Sequence, residues 1–309
     1  MTSELPSYDK LVGAEGLPAG SAWAIWDDPG VGALSLMTRE RVLAAARDAI
    51  RLGQVISLDL PADEIDPPLF DREPTVHRLL SYPNHAMDDL IESWNTQAGA
   101  QWDGFKHQRH PEYGYLGGIP PQEHGVDKWA RHGVAGRAVL IDVPRWRASA
   151  GLAPVDCASR VEVGVEELQS CLATQAIEVR AGDVLLVRTG WLEWYRSVSP
   201  EQRRRVAAKA TYCGPGLSAG HEMAAYLWDL HIAAVASDSP TLEAWPRAAD
   251  QFLHNHLLNL LGIPIGELWD LDRLAADSAA DGNWDCFLTS APLAFPGAAA
   301  SPANAVAIR

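Results

Sequence analysis

The stretch DVLLVRTG, residues 183–190, decides the fold. Four apolar residues, Val184 to Val187, follow a Gly182-Asp183 turn signal without interruption. A strand with one wet face alternates apolar and polar residues, whereas a strand covered on both faces reads as a continuous apolar run. The segment before it, 165–176, carries helical spacing. Helix followed by buried strand is the unit of an α/β sheet.

The unit recurs in both directions. Residues 126–132 precede RAVLIDV (137–143), and residues 219–230 precede HIAAVAS (231–237). Upstream, Thr38 caps a helix in which Val42, Leu43, Ala46 and Ile50 recur at helical spacing, and VISLDL (55–60) follows as a short strand. Downstream, residues 251–261 read as a helix stopped by Gly262 and Pro264, and CFLTSAPL (286–293) supplies a last strand. No internal repeat or long linker interrupts the series. The expectation is one α/β domain over 1–309 with a mixed or mainly parallel sheet, the core spanning 37–309 and residues 1–36 forming an N-terminal extension.

Composition bounds the function. The chain has 309 residues with 25 Lys plus Arg against 40 Asp plus Glu, a net charge of −15 that repels phosphate backbones and anionic lipid. Nucleic-acid binding and membrane association are therefore not expected. The first residues, MTSELPSYDK, lack the basic start and apolar run of a secretory signal, and no apolar run approaches the roughly 20 residues that cross a bilayer. Cys157, Cys171, Cys213 and Cys286 form no CxxC pair, which fits reduced thiols in a cytoplasmic protein.

The chemistry concentrates in NTQAGAQWDGFKHQRHPEYGYLGG, residues 95–118. Two acids, two histidines, three glutamines and five glycines crowd a region without periodic pattern, as residues gathered around a site would. Asp103 and His107, four apart, pair a hard oxygen ligand with a group that titrates near neutrality. The same two residues are equally consistent with a turn-capping aspartate beside an ordinary histidine.

This segment resembles the signature of the cyclase family, which includes bacterial kynurenine formamidase and isatin hydrolase. The signature His-x-Gly-Thr-His-x-Asp-x-Pro-x-His falls on Gln97, Gly99, Ala100, Gln101, Asp103, Phe105 and His107, so the glycine, the aspartate and the last histidine match. Further blocks are similar in family order over roughly residues 50 to 308, among them GVAGRAVLIDVPRW, AGDVLLVRTGW, PGLSAGHEMAAYLWD and FLHNHLLNLLGIPIGELWDL. The resemblance implies a single-domain cyclase-like fold of the swivelling β/α type with a mixed sheet. It also implies a divalent metal at Asp103, Gln101 and Gln97, with His254 and Glu267 as later ligands, and His107 as the acid/base. Trp102 and Tyr115 are then expected to line the substrate pocket, and a homo-oligomer is expected from the family.

Glutamine stands where the signature has its two early histidines. A glutamine carbonyl is a neutral, weak ligand that suits hard cations better than zinc. Three outcomes follow: a site on Asp103, His254 and Glu267 with glutamine support, a site that prefers manganese or another hard cation, or a site without metal. A branch of the family carries a Gln-Trp-Asp-Gly variant like this one. His254 and His256 lie two apart on an expected helix and so face different ways, and His254 is the one that matches.

The function so implied is hydrolysis of an amide, imide or lactone bond in a small cyclic or acyl compound. A metal-free cyclase or small-molecule binder on the same fold is the alternative. Gly216-Leu217-Ser218-Ala219-Gly220 also matches the serine-hydrolase pattern Gly-x-Ser-x-Gly, with Asp238 and His254 following in order. The preceding TYCGPG reads as loop rather than as the strand a nucleophile elbow needs, and Ser218 is expected instead to cap the next helix.

Overall fold

A computed structural model of the chain describes residues 5–12, 15–247 and 251–309. Thirteen strands are present among them. In chain order they are β1 Val55–Ser57, β2 Val76–Ser81, β3 Met87–Ser93, β4 Gln101–Asp103, β5 Val134–Asp142, β6 Glu162–Val163 and β7 Val184–Arg188. The remainder are β8 Gly216–Leu217, β9 Ala234–Ser237, β10 Ile265–Glu267, β11 Asp285–Ser290, β12 Ala300–Pro302 and β13 Ala305–Ile308.

Nine of them form one sheet in the order β1-β13-β11-β5-β7-β9-β10-β4-β12. Its centre, β5-β7-β9-β10, is parallel, and every pairing outside that centre is antiparallel. The mixed α/β sheet read from the sequence is the one observed. All five residues of β7 and all four of β9 are buried, in keeping with their apolar runs over 184–187 and 234–236.

The helices occur close to where the sequence places them. Helix Arg39–Ala49 begins at Thr38, whose side chain accepts from the Arg41 amide, and helices follow at Asp127–His132, Val165–Gln175 and His221–Asp229. Three details differ. The strand expected over 55–60 is formed only at β1. The helix expected from 251 has its body at Asn255–Leu261 as a π-helix, a geometry that often accompanies functional sites. Ser218 does not cap the helix that follows it: the N-cap is Gly220, with no side-chain bond.

Segment 1–36, expected to be an extension, sends Tyr8, Leu11, Trp26 and Leu34 into the same buried cluster as the central strands. The sequence pattern did not announce β2 and β3, a hairpin with register His77 to Ile91 and Ser81 to Met87. A His77–Asp89 hydrogen bond and an Arg78–Glu92 ion pair, both 2.6 Å, tie its strands. Val76, Leu79, Met87, Leu90 and Ile91 of this hairpin stand exposed, Leu79 at 56% and Ile91 at 51%. No helix of the described residues is long and apolar enough to cross a membrane.

Candidate active site

Strand β4 lies between β10 and β12 and is buried throughout. Because side chains alternate along a strand, Gln101 and Asp103 share one face and Trp102 takes the other. On the shared face Gln101 Nε2 donates to Glu267 Oε2 at 2.9 Å, which joins β4 to its neighbour β10. Asp103 receives the Gln97 amide nitrogen on Oδ1 at 2.7 Å, and the same nitrogen lies 2.9 Å from His107 Nδ1. His107 Nδ1 itself is 3.8 Å from Asp103 Oδ1.

His254 enters from the first turn before the π-helix. Its Nε2 points between Asp103 Oδ2 at 3.7 Å and Glu267 Oε1 at 3.3 Å, while its Nδ1 lies 2.8 Å from Glu243 Oε2. Glu267 Oε1 also accepts the Leu242 amide at 2.9 Å. His256 faces elsewhere and makes none of these contacts, in keeping with its two-residue offset. Asp103, His107 and His254 each present one ligand atom, all within 4.8 Å of one another.

Electrostatics follow from burial. Desolvation pushes the Asp103 carboxyl up, but the imidazoles of His107 and His254 outweigh it and hold the group below the ordinary carboxylate range. Burial, with the charge of Asp103 next, pushes Glu267 up to about 7. For His254 burial favours loss of the proton, yet Glu243 and then Asp103 and Glu267 reverse that and hold the imidazole well above its usual value. His107 goes the other way: burial lowers it more than Asp103 raises it, so it is neutral at neutral pH.

The residues present fit a divalent cation. Asp103 Oδ2, Gln101 Oε1 and Glu243 Oε1 are buried oxygens without a hydrogen-bond partner, and a buried carboxylate oxygen left unpaired is costly. Three carboxylates, from Asp103, Glu243 and Glu267, converge on one imidazole. Oxygen donors outnumber nitrogen, a set suited to a hard ion such as manganese.

Three expected site residues are placed differently. Gln97 was expected to offer its carbonyl as a ligand, but its amide nitrogen faces the cluster, because the reverse orientation would set its oxygen against Asp103 Oδ1. Gln101 likewise turns Nε2 to Glu267, and only its unpaired Oε1 is left as a donor. Trp102 does not line a pocket. It is 0% exposed, bonds Ser290 Oγ at 2.8 Å and packs edge-on to Trp129 and Trp269. Tyr115 is half-buried, with its ring 6.4 Å from that of His124.

Ser218 gains no support as a nucleophile. The carboxylate of Asp238, which a triad would aim at His254, is instead bound by the Thr189 and Gly190 amides at 2.6 and 2.8 Å. Two residues at the site carry no signal in the sequence: Glu243, in the context SPTLEAW, and Arg72, which donates to the Gln97 backbone carbonyl. Neither carries a local motif, and only the folded chain brings them to the site.

Residues 50–244 match the family model Cyclase, described as "Putative cyclase". This chain belongs to the cyclase family. Among solved structures, a crystal structure described as a novel cyclase is 28% identical with a TM-score of 0.78, covering 94% of this chain and 99% of its own. Isatin hydrolase A from Ralstonia solanacearum is 20% identical with a TM-score of 0.61, covering 87% and 97%. Isatin hydrolase A from Labrenzia aggregata is 15% identical with a TM-score of 0.56 over the same shares. These last two share the cyclase fold with this chain. No curated protein matches it.

Proposed function

We propose that this cyclase-family protein is a metal-dependent hydrolase that opens an amide, imide or lactone bond of a small cyclic or acyl substrate. The observation that carries the reading is the surplus of buried negative charge around the unpaired Asp103 Oδ2. Asp103, His254 and Glu267 would hold a divalent cation, manganese or zinc, with Gln101 Oε1 as a further donor. Such an ion supplies a water acidified from a pKa near 15.7 towards about 7 and a polarised carbonyl.

The protein's own residues do the rest. Glu243 accepts a hydrogen bond from His254 Nδ1–H and thereby leaves the Nε2 lone pair as the ligand on the side of Asp103 and Glu267. The extra proton of His254 must leave when a cation arrives, so affinity rises with pH. His107, neutral and partly open to solvent, takes a proton from the attacking water and returns it to the leaving group. The Gln97 amide orients the His107 ring through Nδ1, 2.9 Å away, and that hydrogen bond must open for Nδ1 to take the proton.

A second reading, a metal-free cyclase or small-molecule binder, is favoured by one observation. Both glutamine amides turn nitrogen to the carboxylates, as they would if hydrogen bonds alone balanced the charge. Elemental analysis after growth with manganese and zinc separates the two. The hydrolase reading expects near-stoichiometric metal in the wild type, its loss in Asp103→Ala, and turnover of an amide and lactone panel that stops in chelator. Metal-free wild type after reconstitution, or turnover that survives chelation, sinks it.

The proposal extends to a cytoplasmic homo-oligomer built on one domain over 1–309. Four free cysteines fit a reducing compartment, and the exposed apolar hairpin β2–β3 is the kind of surface that another copy covers.

A further inference from the structure

One cation at the site has no part in the chemistry above. Arg72 follows Phe70 and Asp71, whose φ angles of 62° and 59° lie in the left-handed region that residues with a β-carbon avoid. Strain of that kind persists where the surroundings over-determine it, and ligand clamps are one such place. Here it lays the Arg72 guanidinium over the Phe70 ring, 5.3 Å from the centroid, and directs Nη1 to the Gln97 carbonyl. Phe70 packs edge-on against Tyr212 at 5.0 Å and Trp245 at 6.3 Å, so the platform under the guanidinium is fixed.

The tether places the charge beside the cluster. The side chain of the same Gln97 bonds Asp103 and approaches His107, and the field of Arg72 is felt at Asp103, His107 and Glu267. Arg137, Arg147, Arg188 and Arg196 all end on carboxylates. Arg72 is partly buried, yet no carboxylate among the described residues lies within ion-pair distance of it, in a chain with 40 acids. Among the described residues only its Nη1 is engaged, by the backbone carbonyl of Gln97, and the rest of a planar donor fork stays available.

We propose that Arg72 is the anion-recognising residue of this site, and that its free guanidinium edge receives a planar carboxylate of the ligand bound beside Asp103 and His107. The proposal rests on reading the cluster as a small-molecule site. It narrows the ligand class to carboxylates, for which the fork geometry of arginine matters more than charge alone. The carboxylate has two sources, a substituent of the substrate or the acid that ring opening creates.

Benzoate and its neutral isostere benzamide, titrated calorimetrically into the full-length protein before and after chelation, test it. Benzoate is expected to bind saturably in both preparations, tenfold or more weakly to Arg72→Gln, and at an intermediate strength to Arg72→Lys, with benzamide unchanged. Chelation removes direct carboxylate binding to a metal as an explanation. No saturable benzoate binding to the wild type, equal binding to Arg72→Gln, or an equal loss for benzamide overturns the proposal, the last because it marks a purely structural arginine.

A kinetic arm assigns the source. If the preference for a carboxylated over an uncharged substrate collapses in Arg72→Gln, the group belongs to the substrate. If product inhibition alone weakens, it belongs to the product. Arg72-dependent benzoate binding without any turnover would remove the hydrolase reading and leave the anion site standing, and turnover with Arg72-independent binding would do the reverse.

Discussion

Glu243 sets the chemistry of His254 from behind. It is fully buried, its Oε2 lies 2.8 Å from Nδ1, and its other oxygen is unpaired. A carboxylate there fixes the tautomer and raises the basicity of Nε2. Glu243→Gln keeps the shape and a hydrogen-bond acceptor but drops the charge, so manganese affinity is expected to fall about 10- to 100-fold in a calorimetric titration. Unchanged affinity would remove Glu243 from the metal's support. Asp103, His107, His254 and Glu267 were legible because a spaced motif and its similar blocks point to them. The orientation of the Gln101 amide was not, since it depends on Glu267, 166 positions away. Trp102 was misread for want of one fact, that residues 101–103 form a strand and its middle residue faces the core.

At the scale of elements, the Gly-x-Ser-x-Gly match has a packing explanation. A β-carbon on Gly216 would stand 2.3 Å from the Glu243 carbonyl carbon, so only glycine lets β8 approach residues 242–244. Leu217 then bonds Leu242 and Ala244 on that segment at 2.8 and 3.0 Å, which holds the backbone that carries Glu243. The elements most legible in sequence were those with caps or unbroken apolar runs, such as Arg39–Ala49 and β7. The β2–β3 hairpin escaped notice because its apolar residues face solvent and follow no single burial period. A two-stranded ribbon is marginal by itself, so a covering partner is expected. Leu79 and Ile91 lie on the same face, and their joint replacement by aspartate should reduce the mass measured by light scattering to about the 33.5 kDa of one chain. A wild type that already has this mass would show the hairpin is not a self-association surface.

For the whole molecule, the net charge of −15 draws cations and opposes anions, which makes a dedicated arginine the means by which an anionic ligand is held. The same surplus of acids affects stability. Burial raises Asp59 from 3.8 to about 6, so the folded protein retains a proton that the unfolded chain releases. Its favourable contribution is therefore full below about pH 3.8 and lost as pH rises through 6. Asp59→Asn is expected to gain stability relative to the wild type as pH rises from about 4 to 6 in denaturant titrations, and a difference independent of pH would refute the linkage.

The position of β4 bears on how the protein comes into being. Its residues are made in the first third of the chain, yet β10 and β12, the strands on either side, span 265–267 and 300–302. During translation Gln101 and Asp103 must wait, unpaired, while the ribosome makes nearly all of the remaining sequence. The cluster is thus a late product of synthesis, and a nascent chain halted before Pro302 lacks the outer strand that shields it.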